Sequence, residues 1–275
     1  MVDLVDRARA AVTDRADLPG MSLLEHLDEL RKRIIRSAAG IILGFFVAYG
    51  FHAQIFRLMQ EPITTALAKH NLPTKLTYLD ILDPFNMYLK IALIFGCILA
   101  SPWVLYQVWM FISPGLYKQE RRYVVPFMSA TVGLFLAGAW FGYHYVYPGM
   151  LDFLLGYSKD FTPNLTIDKY TSLFATVILG LGITFELPIL VFFLALFGIV
   201  NASFLWRNFR YAVLIIFIIA GIITPTPDVL TMCLFALPML GLYTLSILVA
   251  YMVHPSRRKK KLEEKEKREQ QTDEQ

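Results

Sequence analysis

Apolar positions fall along this chain in long blocks separated by short polar segments. Six blocks stand out, near residues 34–53, 85–111, 123–147, 170–197, 211–223 and 229–253. A helix rises about 1.5 Å per residue, so roughly 20 apolar residues cross a hydrocarbon core about 30 Å thick. The first four blocks reach that length. The fifth, Tyr211 to Ile223, would cover only about 20 Å before Pro225 and Pro227 close it. Pro238 divides the sixth, and a proline inside a helix removes a hydrogen bond and bends the axis. The pattern predicts an all-α integral membrane protein of six transmembrane helices, the fifth and sixth short, with a bilayer thinned beside them.

The segments between the blocks have patterns of their own. Ser22 and Glu25 form a Ser-x-x-Glu capping box, a helix-start signature. Leu23, Leu24, Leu27, Leu30 and Ile34 follow at helical spacing, which predicts a short amphipathic helix ahead of the first span. Ile55 to His70 reads as an interfacial helix broken at Pro62, capping one end of the bundle either as a passive lid or as a gate. Residues 1–21 and 254–275 are polar tails, which leaves 22–253 as the one membrane domain.

Composition sharpens this reading. Hydrophobic residues make up 56% of the 275 and charged residues 17%, with a mean hydropathy of +0.50. Soluble domains carry about 25% charged residues, so lipid is the fitting solvent. The formal net charge is +4, and its placement matters more than its size. Lys and Arg concentrate before residue 37, at Lys118, Arg121 and Arg122, at Arg207 and Arg210, and in the C-terminal tail. All four segments fall on the same side of a six-span chain. By the positive-inside rule that side is the cytoplasm, with both termini inside. Basic residues placed this way do not form the stripe of a nucleic-acid surface. No cleavable signal peptide is visible, so the first span would serve as the targeting signal. Cys97 and Cys233 lie inside apolar runs without metal-ligand spacing and read as core residues. Phosphate-loop, zinc-protease and nucleophile-elbow motifs are missing from the sequence, so neither a catalytic residue nor a metal or cofactor is expected.

Three carboxylates remain for chemistry. Glu29 precedes the first span and Glu120 follows the second, which places both at the cytoplasmic interface. Each could accept a guanidinium fork from an incoming arginine, a geometry lysine does not reproduce. Composition alone favours the simpler alternative of local pairing, Glu29 with Arg33 at i+4 and Glu120 with its basic neighbours. Glu186 sits inside the fourth span, two residues before Pro188. An ionisable residue there is costly and points to function. A protonated carboxyl bonded between helices is the structural alternative. Asp228 in the turn before the last span suits a helix N-cap.

Several segments resemble the TatC family, the multi-spanning core of the twin-arginine protein translocase. They are His26–Ile35 (HLDELRKRII), Ser101–Arg122 (SPWVLYQVWMFISPGLYKQERR), Phe185–Pro188 (FELP) and Thr224–Asp228 (TPTPD). The resemblance covers about residues 22–253 and implies a glove-shaped, concave bundle. It further implies that Glu29 and Glu120 bind the paired arginines of twin-arginine signal peptides, with Arg31, Phe111, Leu116, Tyr117, Arg121 and Arg122 in the same motifs. This reverses the preference for local pairing. Glu186 falls on the family's intramembrane glutamate, while Pro62 and Asp228 shape the periplasmic cap and turns. Residues 79–85 match only loosely and receive no role. The implied partners are signal peptides of folded cargo, single-span TatA- and TatB-type proteins, the bilayer and further copies in a multimeric receptor. The implied energy source is the proton-motive force across a bacterial inner membrane. Two other classes make different demands on the sequence. A proton-coupled small-molecule transporter using Glu186 should carry a second intramembrane charge or a broken-helix pair. An intramembrane protease needs paired catalytic groups.

Overall fold

The computed structural model describes residues 23–112, 124–157, 164–196, 198–224 and 228–253. Among these residues the structure is all-helical, apart from loops and one parallel bridge between Thr77 and Thr166. The elements in order are α1 (Leu23–Gly50), α2 (His52–Lys69), α3 (Asp83–Ile112) and α4 (Val124–Phe141). A π-helical turn (Gly142–Val146) leads into α5 (Tyr147–Gly156). Then come α6 (Ile167–Thr184), α7 (Leu187–Leu196), α8 (Ala202–Arg207), α9 (Phe209–Ile223) and α10 (Val229–Val253).

Helices Leu24–Gly50, Asp83–Ile112, Ile167–Leu196 and Val229–Met252 are long and apolar enough to cross a membrane, and Phe209–Ile223 is shorter. Many large apolar side chains on these helices face outward, among them Leu43, Phe46, Leu99, Ile215, Ile222 and Leu237. Outward apolar faces of this extent suit hydrocarbon rather than water. The amphipathic segment expected ahead of the first span is no separate element, for it runs unbroken into the span as α1.

Prolines account for the main departures from expectation. Pro62 does not break the capping helix, because α2 is continuous from His52 to Lys69 with Pro62 buried inside it. Pro62 lacks the N–H that would pair with the Leu58 carbonyl, and the Tyr143 hydroxyl donates to that carbonyl instead at 2.8 Å. Tyr170, from α6, donates its hydroxyl to the neighbouring carbonyl of Met59. Pro102, inside α3, frees the carbonyl of Ile98, which accepts from the Ser101 hydroxyl at 2.7 Å. Nor is the sixth apolar block short. Pro238 lies within a continuous α10 of 25 residues, about 37 Å long. A single lost donor does not unravel a helix whose other backbone groups have no water to turn to. At Pro188 the ladder does open, and there the fourth apolar block divides into α6 and α7. The fifth block is short as expected, α9 having 15 residues.

The principal core gathers buried residues from α2, α3, α5, α6, α9 and α10, among them Met59, Ile91, Tyr147, Phe174, Ile216 and Phe235. The closest helix pair is α1 with α3. Glycine is required there, for a Cβ on Gly44 would lie 2.5 Å from the Gly96 carbonyl oxygen. A Cβ on Gly96 would lie 2.7 Å from the Phe45 nitrogen. Small residues that bring backbones together are a common packing device in lipid, where apolar burial contributes little between helices.

Candidate functional site

The α1–α3 contact ends in a polar cluster at the end of the bundle carrying the α1 N-terminus. Glu29 and Arg33 lie one turn apart on α1, and Arg33 Nη2 donates to Glu29 Oε1 at 3.1 Å. The other arm of the guanidinium, Nη1, donates to Gln107 Oε1 of α3 at 3.0 Å. Gln107 is only 1% exposed. The Glu29 and Arg33 side chains are each 15% exposed, which is low for a surface ion pair. The second carboxylate oxygen, Glu29 Oε2, is buried and accepts no hydrogen bond. A buried carboxylate oxygen without a donor is costly, and an ionised carboxylate accepts through both oxygens.

Neighbours frame this carboxylate. His26 stacks on Phe111 with centroids 4.4 Å apart and planes 15° from parallel. One turn along, Trp103 Nε1 donates to the Arg36 carbonyl at 2.9 Å, and Lys32 pairs with Asp28 on the exposed side at 2.6 Å. Arg31 is exposed. The structure thus joins Glu29 and Phe111, from two separate motifs, at one helix pair. Glu120, Leu116, Tyr117, Arg121 and Arg122 lie outside the described residues. The i+4 pair of Glu29 with Arg33, posed as an alternative to ligand binding, is present and occupies one oxygen. Gln107 and His26 were not singled out in the sequence. An amide inside an apolar span was the available signal for Gln107.

Glu186 belongs to a different place. Trp109 of α3 and Phe193 of α7 meet edge to face at 4.6 Å. Glu186 lies seven residues before Phe193, roughly 10 Å deeper into the bundle. Its backbone N–H donates to Ile183 O at 3.0 Å, and its carbonyl accepts from Ile189 and Leu190 at 3.1 and 2.9 Å. It therefore sits at the break that Pro188 imposes between α6 and α7. Its Oε1 is buried without a partner. Beside the break opens an apolar cavity of about 560 Å³, lined by Ile183, Thr184, Leu187, Ile216, Met239 and Tyr243.

The opposite end of the bundle carries structural polar contacts. Asp228 caps α10, accepting from the Thr231 N–H and hydroxyl at 2.7 Å each. Asp152 of α5 holds α2, with Lys69 Nζ at 2.6 Å and His70 Nε2 at 2.9 Å. Hydrogen bonds from the Lys69 and His70 side chains hold the Asp152 carboxyl below its ordinary range. Lys90 of α3 pairs with Asp168 of α6. Among the described residues no group of three His, Cys, Asp or Glu side chains is placed to hold a metal ion.

Comparison with known proteins adds the family. Residues 25–238 match the family described as Sec-independent protein translocase protein (TatC). The chain is 58% identical over 265 residues to the Sec-independent protein translocase protein TatC of Koribacter versatilis, covering 96% of this chain and 98% of that one. It is 38% identical over 236 residues to the TatC of Carboxydothermus hydrogenoformans, covering 86% and 95%. A solved structure described as the twin arginine translocase receptor TatC superposes with a TM-score of 0.74 at 37% identity, over 82% of this chain and 98% of that one.

Proposed function

This chain belongs to the TatC family of Sec-independent protein translocase proteins, and from that premise we propose that it is the signal-peptide receptor and translocase core of a twin-arginine translocation system. The family is non-enzymatic, so the mechanism is recognition and passage without covalent chemistry. Family membership lends no support to the small-molecule transporter reading of Glu186.

One observation carries the recognition step. Glu29 keeps one oxygen oriented by Arg33 while its other oxygen is buried without a donor. The carboxylate is therefore both positioned and incompletely satisfied. An incoming guanidinium would supply the missing donor through a charge-assisted bond, roughly twice as strong as a neutral one. Gln107 fixes Arg33 from α3, so the carboxylate is preorganised by two helices. Glu120 is the proposed acceptor for the second signal arginine. Arg31, Phe111, Leu116, Tyr117, Arg121 and Arg122 are proposed to complete the surface. The basic bias supports a cytoplasmic position for this end and both termini, in a six-span inner-membrane protein. Glu186, with the adjacent cavity, is proposed to receive the inserting part of the signal. Single-span TatA- and TatB-type proteins, further copies of this chain and the proton-motive force complete the proposed machine.

The test is photo-crosslinking of a twin-arginine signal peptide to membranes carrying the protein, against a twin-lysine peptide and the Glu29→Ala, Glu120→Ala double variant. Loss of the crosslink in both controls is expected. Undiminished crosslinking in the double variant would overturn the assignment.

A further inference from the structure

The turn between α2 and α3 carries an apolar surface to which the translocase reading gives no role. Leu79 is 76% exposed and Ile81 87%, and Tyr78, Leu82 and Phe85 are also more than half exposed. A loop facing water would not present so many large apolar groups in a row.

Several backbone donors of this turn are taken up from within it. Asp83 Oδ2 accepts from the N–H groups of Leu79 and Asp80, both at 3.0 Å. Asp80 Oδ1 accepts from Leu82 N–H at 3.0 Å. Asp83 N–H donates to Asp80 O, and Asn86 N–H donates to Leu82 O. Each donor paired inside the turn lowers the cost of placing it where water is scarce.

Depth within the bilayer follows from the helix itself. The Trp103 to Arg36 hydrogen bond fixes the level of the last basic residue before the uncharged run Ser37–Phe51 of the first span. From Trp103 to Phe85 is 18 residues along α3, roughly 27 Å against a hydrocarbon core of about 30 Å. Phe85 therefore reaches the far hydrocarbon boundary, and Leu79, Ile81 and Leu82 stand just beyond it, at headgroup level. The exposed face continues down α3 through Leu93 and Leu99, so the turn extends the lipid-facing surface.

We propose that the Tyr78–Phe85 turn is a lipid anchor, seating Leu79, Ile81 and Leu82 in the interface of the leaflet farthest from Glu29, the outer leaflet in the orientation given above. It fixes the height of α3 and, through the Thr77 to Thr166 bridge, of α6. The proposal rests on the membrane-spanning reading of α3, and its test separates the two.

The full chain, with Cys97 and Cys233 replaced by Ala, is placed in vesicles of phosphatidylcholine and phosphatidylglycerol. An environment-sensitive fluorophore is attached at Ile81→Cys, or at Leu79→Cys to guard against perturbation by one label. Exposed Lys75 and lipid-facing Leu99, each changed to Cys, serve as references. The quenchers are aqueous iodide and lipids carrying a nitroxide near the headgroup or deep in the chain. Labels at 81 and 79 are expected to emit to the blue of the label at 75. They should be quenched by the shallow nitroxide and shielded from iodide. Iodide quenching equal to that at position 75 would overturn the anchor, while lipid quenching at 99 in the same experiment would leave the span intact. Shielding from both quenchers would also overturn it, by indicating a protein neighbour. Loss of lipid quenching at 99 itself would overturn the membrane-spanning reading instead.

Discussion

Changing Gly44 to Ala tests how the bundle holds its recognition end in register. The new methyl would stand 2.5 Å from the Gly96 carbonyl oxygen, where ordinary contact begins at 3.4 Å. The shortfall of 0.9 Å lies against backbone, which cannot swing aside as a side chain can. Helix α1 must therefore move away from α3, at a cost of about 1–3 kcal/mol for overpacking. Alanine also favours a helix over glycine by about 1 kcal/mol, which would blur the result in isolation. Gly133→Ala removes the ambiguity, because Gly133 lies inside α4 with nothing within 4 Å of its would-be Cβ. The propensity gain is common to both variants and cancels in their difference. Gly44→Ala should thus be less stable than Gly133→Ala by about 1–3 kcal/mol, as read from unfolding in mixed detergent micelles. The separation should also stretch the Arg33 to Gln107 bond, now 3.0 Å, and weaken binding of a twin-arginine peptide. Equal stability of the two variants would refute the close α1–α3 packing on which the site depends.

Three further expectations follow from particular contacts. Gln107→Leu removes the amide that holds Arg33. One charged hydrogen bond of about 1.5 kcal/mol corresponds to roughly tenfold weaker signal-peptide binding, and a titration showing unchanged affinity would refute its positioning role. Tyr143→Phe strips the Leu58 carbonyl of its donor and should cost about 0.5–1.5 kcal/mol. That cost should shrink in a Pro62→Ala background, where a backbone N–H returns, and a cycle without coupling would remove the explanation for the unbroken α2. Asp152 is held below its ordinary pKa by Lys69 and His70. Its contribution is present above the unfolded carboxylate value, about 3.9, and is lost as pH falls through the lower folded value. Asp152→Asn should therefore flatten the stability curve below about pH 4, as measured by acid titration of unfolding.

Much of this fold is legible in the sequence, because hydrophobic periodicity is local. The apolar blocks located the long helices, the prolines at 225 and 227 foretold a short α9, and the motif around Glu29 pointed to the family. The basic bias supplied an orientation to test. Glu186 also stood out, since a carboxylate within an apolar run needs no structure to be noticed. The prolines misled, because their effect depends on partners far away in sequence. Tyr143 stands 85 positions from Leu58, so whether Pro62 breaks a helix is decided by a hydroxyl on another element. The site shows the same division. Glu29 was visible as a charge, but its state was not. Whether its oxygens are paired depends on Arg33, and Arg33 in turn on Gln107, which lies 74 positions away. The sequence alone marked the long apolar segments and the charges that flank them, since transfer free energy is summed residue by residue. Tertiary structure alone decided which carbonyls lost their donors and which oxygen of Glu29 lacks one, because a hydrogen bond depends on position within a few tenths of an ångström.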